Sequence, residues 1–209
     1  MEISREELNL FPTPVSLYDL SYLDMDVIIE NIENAEKREF PLLDNGVTTY
    51  DLIDRFLDRP DILELKESIE YCLADFTKRL GYTHLHLHLT SSWSNITDIG
   101  GKLELHRHES SIVSGVFHPK VDEPIKPLLF KDPLMLDHDI WVYKMAEEYD
   151  FPHTVPYPNF FDEIPITSGL LVLFPGWLEH KTDKEIGRRS CTRQIATRYN
   201  NKSASKCSR

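Results

Sequence analysis

Apolar positions recur at helical spacing early in the chain and at strand spacing later. Leu23, Met25, Val27, Ile28 and Ile29 stand among charges and predict a helix over 22–38. Ile62, Leu63, Leu65, Ile69, Cys72, Leu73 and Phe76 predict a second over 61–80, with Gly81 where a C-cap belongs and Asp58 or Asp61 available to cap its start. Before them, LFPTPVSLYDL (10–20) mixes prolines with apolar residues and reads as extended. The period then changes. THLHLHLT (83–90) alternates strictly and predicts a strand, and 101–108, 111–118, 170–174 and 192–200 are further short strand candidates. No pattern assigns 119–165, which is rich in Pro, Asp and aromatics. Helices followed by short strands, without βαβ alternation, predict a mainly β domain of the sandwich or jelly-roll kind. The expected organisation is a single domain over 1–209. In it, 1–82 is mostly helical support, 83–200 a β core with 119–165 inserted, and 201–209 a tail.

Composition narrows the function. With 209 residues and a formal net charge of −12, the chain is long enough for a substantial core and lacks the basic footprint of a nucleic-acid binder. The basic stretch 188–209 reads as a solvated edge and end. No apolar run reaches the roughly 18 residues of a membrane span, and MEISREEL is unlike a signal peptide, so a cytoplasmic protein is expected. Cys72, Cys191 and Cys207 are odd in number and scattered, which suits reduced thiols better than a disulfide framework or a zinc site.

Nine histidines offer candidate chemistry. His84, His86 and His88 alternate with leucines. The plainer reading packs the leucines and leaves the histidines to solvent, since no third ligand stands nearby. His106-Arg107-His108 differs. It follows Gly100-Gly101 and the strand KLEL, which places both imidazoles on one face at a strand end. Far along the chain, GLLVLFPGWLEH (169–180) supplies an apolar strand, a Pro-Gly turn and His180. Two ligands from one hairpin and a third from a distant strand suit a facial metal triad, which leaves the opposite positions open.

Four blocks carry a resemblance: LFPTPV (10–15), SSWSN (91–95), HRHESSIVSGVF (106–117), and GLLVLFPGWLEH with the Arg-bearing strand that closes on Tyr199-Asn200. Together they resemble the 2-oxoglutarate/Fe(II) oxygenase family found in phages and marine bacteria. The resemblance implies a double-stranded β-helix with N-terminal helices, and Fe(II), 2-oxoglutarate and O2 as participants. The expected reaction is hydroxylation of an unidentified small molecule or peptide, with decarboxylation of 2-oxoglutarate to succinate. It implies His106, His108 and His180 as metal ligands and an arginine of the last strand as partner of the far carboxylate. Arg193 is the first candidate and Arg189 the reserve. Trp93, Asn95 and Ser114 are the other expected co-substrate contacts.

The wider superfamily usually carries Asp or Glu where His108 stands. Glu109 is therefore an alternative ligand, although strand alternation points it away from His106 and His108. His118 stands where the family has an aromatic and is read as a strand-end residue.

Two rivals share the frame. A cupin-type metal dioxygenase or isomerase fits the Gly100-to-His108 spacing, but Ile112 and Val113 stand where its glutamate belongs and Trp177 where it has a turn glycine. A non-enzymatic binding module would not need three histidines. The aromatics of 119–165 (Trp141, Tyr143, Tyr149, Tyr157, Phe160 and Phe161) suit either a lid at the site's mouth or a satellite core.

Overall fold

The computed structural model describes residues 13–121, 127–133, 161–182 and 192–201. Arg188, Arg189, Cys191, Cys207, the start of LFPTPV, most of 119–165 and the tail beyond 201 lie outside the described residues.

Both expected helices form, each shorter than its apolar pattern. Helix α1 spans Met25–Asn34, where Asp24 accepts a hydrogen bond from the Val27 amide at 3.2 Å and Ile28, Asn31 and Ile32 are buried. Helix α2 spans Leu63–Arg79 and buries Leu65, Ile69, Cys72, Leu73 and Phe76. No side chain caps its start. Two short 3-10 turns lead into it, and Asp58 is paired with Arg55 and Lys66 instead. Gly81 follows at φ +75°, the left-handed turn that glycine takes without strain.

Among the described residues, ten antiparallel strands form one curled sheet. They are β1 (Ser16–Asp19), β2 (Arg38–Phe40), β3 (Leu43–Thr48), β4 (Leu87–His106), β5 (Val113–Val121), β6 (Leu128–Lys131), β7 (Phe161–Ile164), β8 (Leu170–Pro175), β9 (His180–Thr182) and β10 (Thr192–Asn201). The order β1-β8-β5-β10-β4-β9-β6-β7, with the β2–β3 hairpin added on β4, is the jelly-roll arrangement expected from the sequence. Alternation divides the core. Val113, Phe117, Leu171, Leu173, Ile195 and Tyr199 pack on the helices. Val116, Val172 and Phe174 point into the roll, against Leu128, Phe130 and Leu178. Phe117 is fully buried, and its removal would cost about 3–5 kcal/mol, as for other buried Phe→Ala changes.

Strand β4 determines where the functional site lies. The sequence reading divides it at Gly100-Gly101, but it is one strand with a bulge. Thr97 pairs with Gly46 and Lys102 with Asp44, so 98–101 bulges out. Gly100 sits at φ +76°, and a Cβ on Gly101 would lie 2.5 Å from Thr97 Cγ2 and 2.7 Å from the Asp44 carbonyl oxygen. Before the bulge β4 pairs with β10; beyond it, with β9. Within 1–82, which also holds both helices, β2 and β3 pair onto β4 beside the site. No described helix is long and apolar enough to cross a membrane.

Candidate metal centre

His106 ends β4 and His180 opens β9, and the two are directly paired across the strands. That pairing brings their rings to 4.3 Å between centroids. His108 lies two residues on, in the connection to β5. The turn after β8 clamps this connection. The His108 amide donates to Gly176 O at 2.9 Å, and the Gly176 amide donates to Ile112 O at 3.2 Å. A Cβ at Gly176 would overlap Ser111, so the Pro-Gly turn needs glycine for this close approach. One ligand atom from each of His106, His108 and His180 lies within 4.8 Å of the others. Among the described residues no other set of three His, Cys, Asp or Glu groups converges in this way.

The rings are held by hydrogen bonds of two kinds. His106 Nδ1 lies 2.8 Å from Glu104 O and His180 Nδ1 lies 3.0 Å from Leu178 O. Each donates to a carbonyl and leaves Nε2 as the lone-pair atom. His108 Nδ1 instead receives Arg198 Nε–H at 3.0 Å, and its buried Nε2 has no partner among the described residues. Burial disfavours the charged form of all three. It brings His180 down to about 3, helped by the neighbouring His106. His106 and His108 are lowered by the same desolvation, and for both the Arg198 charge adds to it. Neutral imidazole at ordinary pH is the form that binds metal.

A cavity of about 140 Å³ opens in front of the triad. Trp93, Asn95, Gln194 and Arg198 line it, with Thr48 and Tyr50 from the β3 side, and among the described residues no carboxylate does. Trp93 stacks on His108, with centroids 5.5 Å apart and planes at 21°. The Arg198 guanidinium lies 4.8 Å from the Trp93 ring centre and 5.5 Å from that of Tyr50. Thr48 Oγ1 donates to Asn95 Oδ1 at 2.6 Å.

Of the expected co-substrate contacts, Trp93 and Asn95 line this cavity. Ser114 is buried on β5, but its hydroxyl goes to Ser111 Oγ at 3.1 Å and it does not line the cavity. Arg193 is a correction. Its side chain reaches the opposite face of β10 and pairs with Glu33 of α1. The cause is alternation: Ile195 and Tyr199 pack on the helices, so Arg193 shares their side, while Gln194, Ala196 and Arg198 face the cavity. Treating Ile195 and Tyr199 as core positions would have selected Arg198 from the sequence. Glu109 is 77% exposed and paired with Arg107 at 2.9 Å, outside the triad. His84 and His86 are exposed. His118 is fully buried on β5 and does not line the cavity. Thr48 and Tyr50 were not legible because the β2–β3 hairpin was not.

Residues 91–193 match the family model described as "Putative 2OG-Fe(II) oxygenase". No curated protein sequence matches the chain. Among solved structures, HygX from Streptomyces hygroscopicus with nickel and 2-oxoglutarate bound superposes at TM-score 0.58 and 12% identity, over 91% of this chain and 84% of that one. A prolyl-4-hydroxylase from Pseudomonas putida gives 0.54 at 13% identity, over 89% and 92%. The α-ketoglutarate-dependent epimerase SnoN gives 0.59 at 11%, over 90% and 78%. At these identities the likeness is one of fold. The family match spans His106, His108 and His180 and identifies residues 91–193 of this chain as a 2OG-Fe(II) oxygenase domain.

Proposed function

We propose that His106, His108 and His180 hold Fe(II), that Arg198 anchors the far carboxylate of 2-oxoglutarate, and that the enzyme hydroxylates a small molecule or peptide. One observation carries this reading. Three imidazoles, those of His108 and His180 buried and that of His106 partly so, converge within 4.8 Å beside a guanidinium, in a cavity lined by no carboxylate among the described residues. The donor set fits a divalent first-row metal, since imidazole suits iron and three ligands on one side leave positions free. The unpartnered Nε2 of buried His108 is itself a polar atom that lacks a ligand among the described residues.

The charge balance supports the co-substrate. Three neutral ligands leave a divalent ion uncompensated, and Arg198 adds one more positive charge. A dianion offsets two of these three charges. Arginine suits the far carboxylate because its planar fork donates two parallel hydrogen bonds and stays charged. Trp93 and Val116 line the cavity and give it dry walls, which strengthen that pairing. When bound, iron supplies the activation of O2 coupled to decarboxylation of 2-oxoglutarate to succinate. An open groove beside His106, lined by Arg107, Glu109 and Glu179, offers the substrate an approach. One HygX structure holds hygromycin B, and a small-molecule substrate is the corresponding expectation for this chain.

The test is succinate formation. Protein loaded anaerobically with Fe(II) and 2-oxoglutarate, then given O2, should release succinate slowly without any added substrate. The His180→Ala variant should release none. Metal-loaded parent protein that neither binds nor consumes 2-oxoglutarate would instead favour the cupin-type chemistry.

A further inference from the structure

Two of the three imidazoles are set for a metal, and the third is set against it. His106 and His180 give their Nδ1 protons to the carbonyls of Glu104 and Leu178, which leaves both Nε2 atoms as acceptors. His108 is held the other way round. A guanidinium can only donate, so Arg198 Nε–H at 3.0 Å makes His108 Nδ1 the acceptor. A neutral imidazole carries one proton, which must then lie on Nε2, and a protonated Nε2 offers a metal no lone pair. Beside it stands a full positive charge, and among the described residues no carboxylate lines the cavity to offset an arriving dication.

We propose that Arg198 gates this metal site: it blocks His108 until an anionic co-substrate draws it away, so that metal and 2-oxoglutarate load as a coupled pair. The inference rests on the metal-site reading above. Once a carboxylate takes the guanidinium, His108 Nδ1 is free to carry the proton. The ring then loses its Nε2 proton to solvent and gains one at Nδ1, with no net change in protonation. Its Nε2 lone pair becomes available alongside those of His106 and His180. Arg198 is placed to turn between the two partners. Its guanidinium lies against the Trp93 and Tyr50 rings, at 4.8 and 5.5 Å, and that contact does not depend on which acceptor it uses. Coupling of this kind is reciprocal, so each ligand should tighten the other by the same factor.

Chelation alone would make 2-oxoglutarate tighten metal binding, so the distinguishing test is metal without co-substrate. Co(II), which resists oxidation, is titrated into metal-free parent and Arg198→Gln protein, each with and without 2-oxoglutarate. The gate requires Arg198→Gln to bind Co(II) alone about tenfold more tightly than the parent, a coupling free energy ordinary for linked sites. It also requires 2-oxoglutarate to add less tightening in the variant. If Arg198→Gln binds Co(II) alone no better than the parent, the gate is wrong and the metal site stands. If the parent binds no Co(II) even with 2-oxoglutarate, the metal-site reading itself has failed. A second measurement needs only the parent. Ring-nitrogen NMR of metal-free protein should show His108 in the Nε2–H tautomer and His106 and His180 in the Nδ1–H tautomer. An Nδ1–H tautomer at His108 overturns the proposal.

Discussion

Two regions of the chain carry the His-x-His spacing, His84–His88 and His106–His108, and among the described residues only the second converges with a third ligand. His84 and His86 precede β4 and are exposed, and His88 is half-buried near its start. His86 and His88 line a separate cleft beside α2. His106 and His108 share the spacing, but β9 runs antiparallel to the end of β4 and places His180 directly opposite His106. Burial then completes the difference, with His108 at 2% and His180 at 1% exposure. Spacing puts two imidazoles on one side of a strand, whereas a metal site needs a third ligand from another strand and a dry setting that keeps the rings neutral.

The comparison is broken most strongly by removing the third ligand. His180→Ala should abolish Fe(II) retention in equilibrium dialysis, while His86→Ala should leave it unchanged. If both variants retain metal equally, the triad is misassigned.

The two faces of β10 give the next largest effect. Arg198→Ala should weaken 2-oxoglutarate binding to the metal-loaded protein by roughly 10²–10³-fold, since removing one partner of a buried charge pair costs about 2–5 kcal/mol. Arg193→Ala should leave 2-oxoglutarate affinity unchanged and lower stability by about 1 kcal/mol or less, because its Glu33 partner is half exposed. Calorimetry of both variants separates the faces.

A smaller effect concerns pH. Burial pushes the His118 imidazole down to about 4 from an ordinary 6.5. Between those values the unfolded chain binds more protons than the folded one, so stability rises with pH across this window and is lost on acidification. The loss at pH 5 is about 2 kcal/mol for this group, taking 1.36 kcal/mol for each pH unit below 6.5. His118→Gln should flatten the melting-temperature profile between pH 7 and pH 5; an equally steep profile would remove His118 as a cause. The smallest effect is Glu109→Gln. It should leave metal and 2-oxoglutarate binding as they are, because Glu109 faces solvent with Arg107.

What was legible follows from how local each signal is. Helices α1 and α2 declare themselves through apolar spacing, and β5, β8 and β10 through short apolar runs between turn residues. The triad was legible because His-x-His and the Pro-Gly-Trp-Leu-Glu-His segment are each local patterns. Arg198 was not, because choosing between the two faces of β10 depends on which face meets the helices, a property of packing. The β3 hairpin was hidden because Leu43–Thr48 reads Leu-Asp-Asn-Gly-Val-Thr, a turn signal by composition, and it becomes a strand only through pairing with β4. For the same reason Gly100-Gly101 reads as a turn and folds as a bulge within a 20-residue strand.

The central claim is that three histidines from two distant segments form one metal centre. Anaerobic equilibrium dialysis of parent protein against Fe(II) with 2-oxoglutarate, beside the His106→Ala, His108→Ala and His180→Ala variants, tests it most directly. The account predicts about one Fe(II) per chain in the parent, as three ligands around a single ion require, and loss in each variant. Full retention in any one of the three folded variants, or no binding in the parent, would contradict it.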